Sequence, residues 1–263
     1  MSVEKDKRKA IAIHHSATHL MHAALKEVLG EHVQQKGSLV DEHKLRFDFS
    51  HSKPLSKEEI SQVETIVNHE MLTNVEVTTE IMELDKAMES GAQALFGEKY
   101  GDQVRVVSIG GDFSIELCGG THVSRTGDIG LLRVSAETSV AAGIRRIESV
   151  TGMGALALCD NEQDSMTDIA TMVRGARNGV GEKIQGILDE NKRLQKDLEK
   201  LKNKLANVAG SDLMSSLRRV SNISVLATIV DGADAKSLRG VADQVRSKMQ
   251  SGVFVLAALE GEK

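Results

Sequence analysis

Apolar residues Ile11, Ile13, Ala17, Leu20, Ala24, Leu25, Val28 and Leu29 recur at largely helical spacing and stop at Gly30, which predicts a helix over 9–29 ended by a favoured terminating residue. Segments 32–40 and 44–50 read as strands. In the second, Leu45, Phe47 and Phe49 alternate with Arg46, Asp48 and Ser50, and Asp41-Glu42-His43 forms the turn between them. Ser56 and Glu59 fit a capping box, and Ile60, Val63, Ile66, Val67 and Met71 make an apolar stripe, so a second helix is expected from there to about Leu72. Short strands follow at 76–82, 103–108, 113–117 and 129–136, separated by Gly-rich turns. The first part of the chain therefore reads as α+β, with a mainly antiparallel sheet and packed helices.

The pattern changes at Gly181. Ile184, Ile187, Asn191, Leu194, Leu198, Leu201, Leu205 and Val208 step alternately by three and four, a heptad seam in which a lone Asn fixes register or partner number. The seam serves either association or a single amphipathic helix lying on its own domain. Beyond it, an apolar strand at 223–230, a helix at 235–249 and a strand at 253–259 form a small β-α-β unit, too small to stand alone and so part of a domain.

Composition narrows the class. The 263 residues, 40% hydrophobic and 27% charged, suit a soluble chain of one or two domains, and no run approaches the roughly 18 apolar residues of a membrane span. Two cysteines give no disulfide framework. The basic start, MSVEKDKRKAIAIHHS, lacks an apolar signal core, so a reducing cytosol is the expected setting. A net charge of −5 argues against coating nucleic acid by bulk charge, while leaving a local basic patch open. With 2% aromatic residues and no Trp, a platform of stacked aromatics is excluded as the main binding device.

Candidate chemistry lies in two places. His15 and His19 are i, i+4 neighbours whose imidazoles leave one helix face a turn apart. Far along the chain, Cys118-Gly119-Gly120-Thr121-His122 supplies a thiol and an imidazole four positions apart around a flexible Gly pair. His15, His19, Cys118 and His122 make a tetrahedral nitrogen and sulfur set for zinc. The bland alternative is surface histidines and a cysteine acting as a small apolar residue. His22, three residues further along the same face, is an alternative ligand, and His14 points elsewhere. Cys159 reads as a buried apolar residue, and Met82, Met88, Met153, Met166 and Met172 as core filling.

The stretches HHSATHLMHAALKEVLGEHVQQKGSLV, LRFDFSH, ALFGEKYGD, ELCGGTHVSRTGDIG and AAGIRRIESVTG together resemble the editing domain of the alanyl-tRNA synthetases. The resemblance continues through the heptads into that family's C-terminal domain and covers essentially the whole chain. It implies an editing (aminoacyl-tRNA deacylase) domain over 1–155 with one Zn2+ held by His15, His19, Cys118 and His122. A helical coiled-coil segment over 156–210 and a truncated tRNA-binding and dimerisation domain over 211–263 follow. The implied activity is hydrolysis of tRNA(Ala) wrongly charged with serine or glycine. A pocket that only measured size would accept alanine as readily as serine, so a polar partner for serine's hydroxyl is required. Gln35, at the family's editing-pocket position, is the candidate, with Thr18 second. Arg145 and Arg146 are expected to meet tRNA phosphate. Arg218, Arg219, Arg239, Arg246 and Lys248 form a second basic group where the family touches the outer corner of tRNA. In the family the seam region and C-terminal domain join protomers, so a homodimer or partner chain is expected through 184–208. Nothing matches the class II aminoacylation domain. ATP is therefore not expected as a ligand, and the chain is expected to be a fragment or a split gene product. The competing reading is a non-enzymatic tRNA-binding and dimerisation module with structural zinc.

Overall fold

The computed structural model describes residues 3–94, 100–230, 235–249 and 251–258. Residues 95–99 of the ALFGEKYGD stretch, Leu259, and the side chains of Leu205 and Val208 lie outside the described set. The chain divides into two compact units, Met1–Met166 and Thr167–Lys263.

The first unit runs α1 (Lys5–Leu29), β1 (Gln35–Val40), β2 (Leu45–Ser50), α2 (Lys57–Leu72), β3 (Thr78–Glu83), α3 (Leu84–Glu89), β4 (Gln103–Ile109), β5 (Ser114–Leu117), β6 (Leu132–Ala141) and β7 (Ile144–Thr151), then into α4 (Gly152–Met172). The expected α+β class with antiparallel sheets is what forms: one sheet is ordered β1-β2-β7-β6 and a second β3-β4-β5. Helix α1 starts at Lys5, ahead of the predicted position 9, because Lys and Arg extend a helix at little cost while adding no apolar periodicity. Helix α2 starts as read: the Ser56 hydroxyl accepts the Glu59 N–H at 3.1 Å and the Glu59 carboxylate accepts the Ser56 N–H at 2.7 Å.

Strand β7 is absent from the sequence reading. Ile144 and Ile147 are three apart, which hides the alternation, yet β7 pairs with both β2 and β6 and buries Ile147, Ser149 and Thr151. The core is built where α1 and α2 meet the four-stranded sheet: Leu20, Met21 and Leu25 face Phe47, Phe49, Val63, Val67 and Ile147. Cys159 is half-buried rather than buried. Of the methionines expected in the core only Met82 packs there, while Met88, Met153, Met166 and Met172 are exposed. Hydrophobic side chains do not all fit inside, so composition alone cannot place them.

The second unit holds α5 (Val180–Leu213), β8 (Arg218–Val220), β9 (Ile223–Ile229), α6 (Ala235–Lys248) and β10 (Gly252–Ala257). Strands β9 and β10 pair in parallel, as a β-α-β unit requires, and the short β8 adds an antiparallel edge. Leu226, Val230, Val241 and Val245 form its buried centre. Along α5 the seam residues Ile184, Ile187, Leu194, Leu198 and Leu201 are 36% to 60% exposed. Among the described residues no helix is long and apolar enough to cross a membrane.

Phe47 is fully buried, with its ring centroid 6.0 Å from that of Phe49 and 5.1 Å from that of His22. Phe47→Ala is expected to cost the first unit about 3–5 kcal/mol, the range for truncating a buried aromatic. Urea unfolding followed by circular dichroism measures it, and a loss below about 1 kcal/mol contradicts this packing.

Candidate metal centre

His15 and His19 are presented by α1, and the turn after β5 carries Cys118 and His122. One donor atom from each of these four residues lies within 4.8 Å of all the others. The Cys118 Sγ is 3.5 Å from His15 Nε2, and the three imidazole centroids are 4.4 to 5.0 Å apart. The turn reaches α1 because position 120 has no side chain: a Cβ there would lie 2.1 Å from His15 Cε1.

Each imidazole engages an outer partner through its Nδ1. His15 Nδ1 donates to the Thr121 carbonyl at 3.3 Å, and His19 Nδ1 to Glu116 at 2.7 Å. The Ser16 hydroxyl donates to the Ala12 carbonyl, so it receives the Val123 N–H and His122 Nδ1 at 3.1 and 3.2 Å. These tautomers follow from the partners. They leave the Nε2 atoms for the shared centre, and His19 Nε2 and His122 Nε2 are buried with no hydrogen-bond partner. Such outer bonds orient ligating histidines and raise their basicity.

The electrostatics ask for a cation. Burial pushes the Cys118 thiol up, but the surrounding imidazoles of His122, His15 and His19 overcome it and pull the group down to about 3. Burial likewise opposes ionisation of Glu116, and hydrogen bonds from His19 and His22 hold its carboxyl well below the usual range. A buried carboxylate and a half-buried thiolate thus face one cluster of histidines. His19 is raised, against burial, by Cys118 and Glu116, while burial lowers His122 and favours its neutral, ligand-competent form. With the His19 proton displaced by the metal, three imidazoles and a thiolate form the donor set that zinc takes. The residues fit the metal.

His22 is not in the quartet. Its Nδ1 donates to the second oxygen of Glu116 at 2.9 Å, so one carboxylate braces two histidines one helical turn apart. Sequence reasoning missed Glu116. Its only signal is a carboxylate in an otherwise buried strand two residues before Cys118. Arg105 was missed as well: its Nη1 donates to the carbonyls of Cys118 and Gly120 at 2.6 and 2.9 Å and ties the turn to β4. His14 is buried outside the quartet.

The remaining candidates are scattered. Gln35 opens β1 and lines a cavity of about 360 Å3 with His22, Gln34, Met88 and Gln93, whose wall includes none of the four quartet residues. Thr18 is buried and its hydroxyl donates to the His14 carbonyl at 2.8 Å within α1. Arg146 makes a fork on Asp48, at 2.7 and 2.8 Å, and Arg145 pairs with Glu137. Both arginines are thus held by carboxylates of neighbouring strands. Arg218, Arg219, Arg239, Arg246 and Lys248 are exposed on β8 and α6.

Comparison with known proteins accords with this centre. Residues 104–148, which include Cys118 and His122, match the model of the threonyl and alanyl tRNA synthetase second additional domain. Alanine--tRNA ligases of Pseudomonas fluorescens and of Pseudomonas syringae pv. syringae are each 50% identical over 261 residues, 99% of this chain, and that of Saccharophagus degradans is 47% identical over the same length. The chain belongs to the alanyl-tRNA synthetase family. It spans about 30% of the length of these relatives, and within the family it corresponds to an editing-type module.

A thiol lowered to about 3 is ionised at every pH above that value, whereas an ordinary cysteine near 8.5 ionises only at alkaline pH. In metal-stripped protein carrying Cys159→Ala, the rate of Cys118 alkylation by iodoacetamide should therefore stay flat between pH 6 and 8, and one equivalent of zinc should suppress it. A rate rising about tenfold per pH unit over that interval would show a neutral thiol and an unassembled cluster.

Proposed function

We propose that this chain hydrolyses the ester of tRNA(Ala) wrongly charged with serine or glycine, with one Zn2+ held by His15, His19, Cys118 and His122. The observation that supports the reading is the convergence of three imidazoles and a cysteine sulfur beside an open cleft, in a chain of the alanyl-tRNA synthetase family. When bound, zinc supplies a Lewis acid that orients or polarises the aminoacyl end.

The protein's own groups do the rest. Glu116 holds the rings of His19 and His22 in place through their Nδ1 atoms, and Ser16 does the same for His122. Arg105 holds the 118–120 backbone in place, so the quartet needs no rearrangement when substrate arrives. Gln35 offers the donor and acceptor that serine's hydroxyl needs in a cavity with few charges. Alanine leaves that amide unpaired, which disfavours the correct product. Thr18 has its hydroxyl engaged within α1, which favours Gln35 of the two.

The wider assignment is also ours: residues 1–155 for editing, 156–210 as a coiled coil that pairs copies through the exposed seam, and 211–263 for tRNA through Arg218, Arg219 and Arg239. The cytosol is the setting that a reduced Cys118 requires.

The test is release of serine from seryl-tRNA(Ala) and of alanine from alanyl-tRNA(Ala), with zinc content assayed alongside. The wild type should hydrolyse the seryl ester and spare the alanyl one. Gln35→Leu should erode that ratio roughly 5- to 150-fold, corresponding to about 1–3 kcal/mol for an unsatisfied buried polar group, at unchanged zinc. Cys118→Ala should lose zinc and both hydrolyses together. Tight tRNA binding without hydrolysis of either ester would replace this reading by a tRNA-binding module with structural zinc.

A further inference from the structure

Helix α1 carries Lys5, Lys7, Arg8 and Lys9 in its first turns, where the helix dipole is already positive, against two acidic residues, the N-cap Glu4 and Asp6. Helix stability does not account for that placement. Lys7 reaches away to Glu42 at 2.6 Å, but among the described residues Lys5, Arg8 and Lys9 have no ion pair. These three share one face at i, i+3 and i+4, and the same stripe continues through Ala12 to His15 and His19. They line an open cleft of about 660 Å3 whose opposite wall is Arg105, Gly120, Thr121 and the zinc-quartet residue His122. Asp128 is its one acidic lining residue, and its carboxylate accepts the Arg125 N–H at 3.0 Å.

The two cavities of this unit differ in sign. The cleft along α1 is cationic, with four Lys or Arg residues in its lining. The Gln35 cavity has one cation, Lys26, already paired with Glu31 at 2.9 Å. Arg145 and Arg146, the arginines expected to meet phosphate, are neutralised by Glu137 and Asp48. Arg105 is engaged by the Cys118 and Gly120 carbonyls. Among the described residues, the positive charge left open to a ligand beside the quartet is therefore on α1.

We infer that Lys5, Arg8 and Lys9 bind the backbone phosphates of a single-stranded RNA end and lay it along α1 with its 3′ terminus at His15 and His19. The helical rise places these cations about 9 to 15 Å along the axis from His15, so phosphates upstream of a terminal ribose reach them while the ester sits at the quartet. A cleft of this volume is in the range of small-ligand sites and admits a nucleotide or two rather than a duplex. No Phe, Tyr or Trp lines it, so charge supplies most of the binding and salt should weaken it steeply. The inference rests on the deacylase reading only for what the strand carries, since phosphate recognition needs no hydrolysis.

The probe is a short 5′-labelled single-stranded RNA with a free, unacylated 3′ end, titrated with the full chain between about 50 and 200 mM salt and read by fluorescence anisotropy. Relative to wild type, the triple variant Lys5→Ala, Arg8→Ala, Lys9→Ala should bind about tenfold or more weakly at low salt. Its dependence of log K on log salt should be shallower by about 2, at about 0.7 for each phosphate that is no longer neutralised. Lys7→Ala, which removes one charge from the other side of the same helix segment, should leave that slope at the wild-type value, and zinc content and helicity should be the same in all three proteins. A triple variant with wild-type affinity and slope, or a Lys7→Ala that matches it, overturns the assignment. A chain that releases no serine yet shows the slope loss refutes the deacylase reading and upholds the strand cleft. Intact hydrolysis with an unchanged slope does the reverse.

Discussion

A buried carboxylate, Glu116, and a half-buried thiolate, Cys118, two residues apart on the chain, set the terms for the rest of the first unit. Neither survives burial alone, because an unpaired charge in a dry interior costs several kcal/mol or loses its ionisation. Their compensation comes from α1, whose His15, His19 and His22 arrive at successive turns. The distance between β5 and α1 is therefore fixed by electrostatics as much as by packing, and Gly120 marks how close the approach is. A divalent cation held by the quartet would complete the neutralisation that a proton on His19 supplies only in part.

That constraint explains why the scaffold is arranged as it is. Helix α1 is anchored by Leu20, Met21 and Leu25 in the core formed with β2, β7 and α2, so the face bearing its histidines cannot rotate. Three of those core residues alternate with ligating or bracing histidines along one helix: His19, Leu20, Met21, His22, Leu25. Packing and chemistry thus share a single rigid element, the arrangement that holds a site more exactly than loops do. The second side of the site is a turn, and Arg105 and Ser16 supply from outside the rigidity that the turn lacks.

Much of this was legible in the sequence, for definite reasons. The i, i+4 histidines and the Cys-to-His spacing are local, and both α1 and the capping box of α2 announce themselves within a few residues. What depends on sheet order was hidden. Asp48 and Glu137 meet Arg146 and Arg145 only because β7 lies between β2 and β6, and β7 itself escaped notice because its apolar residues are three apart. Glu116 was invisible for a similar reason: strand alternation predicts that a side chain is buried, not which histidines await it. The basic start of the chain shows in sequence only the absence of a signal core, since no periodicity separates a solvated lysine from one lining a cleft.

Every role proposed for the first unit depends on the quartet holding a metal through one sulfur and three nitrogens. Zinc-edge X-ray absorption on the chain loaded with one equivalent of zinc tests it directly. The predicted first shell is one sulfur at about 2.3 Å and three nitrogens at about 2.0–2.1 Å. A shell without sulfur, or one made mainly of oxygen, would contradict the geometry from which the rest follows.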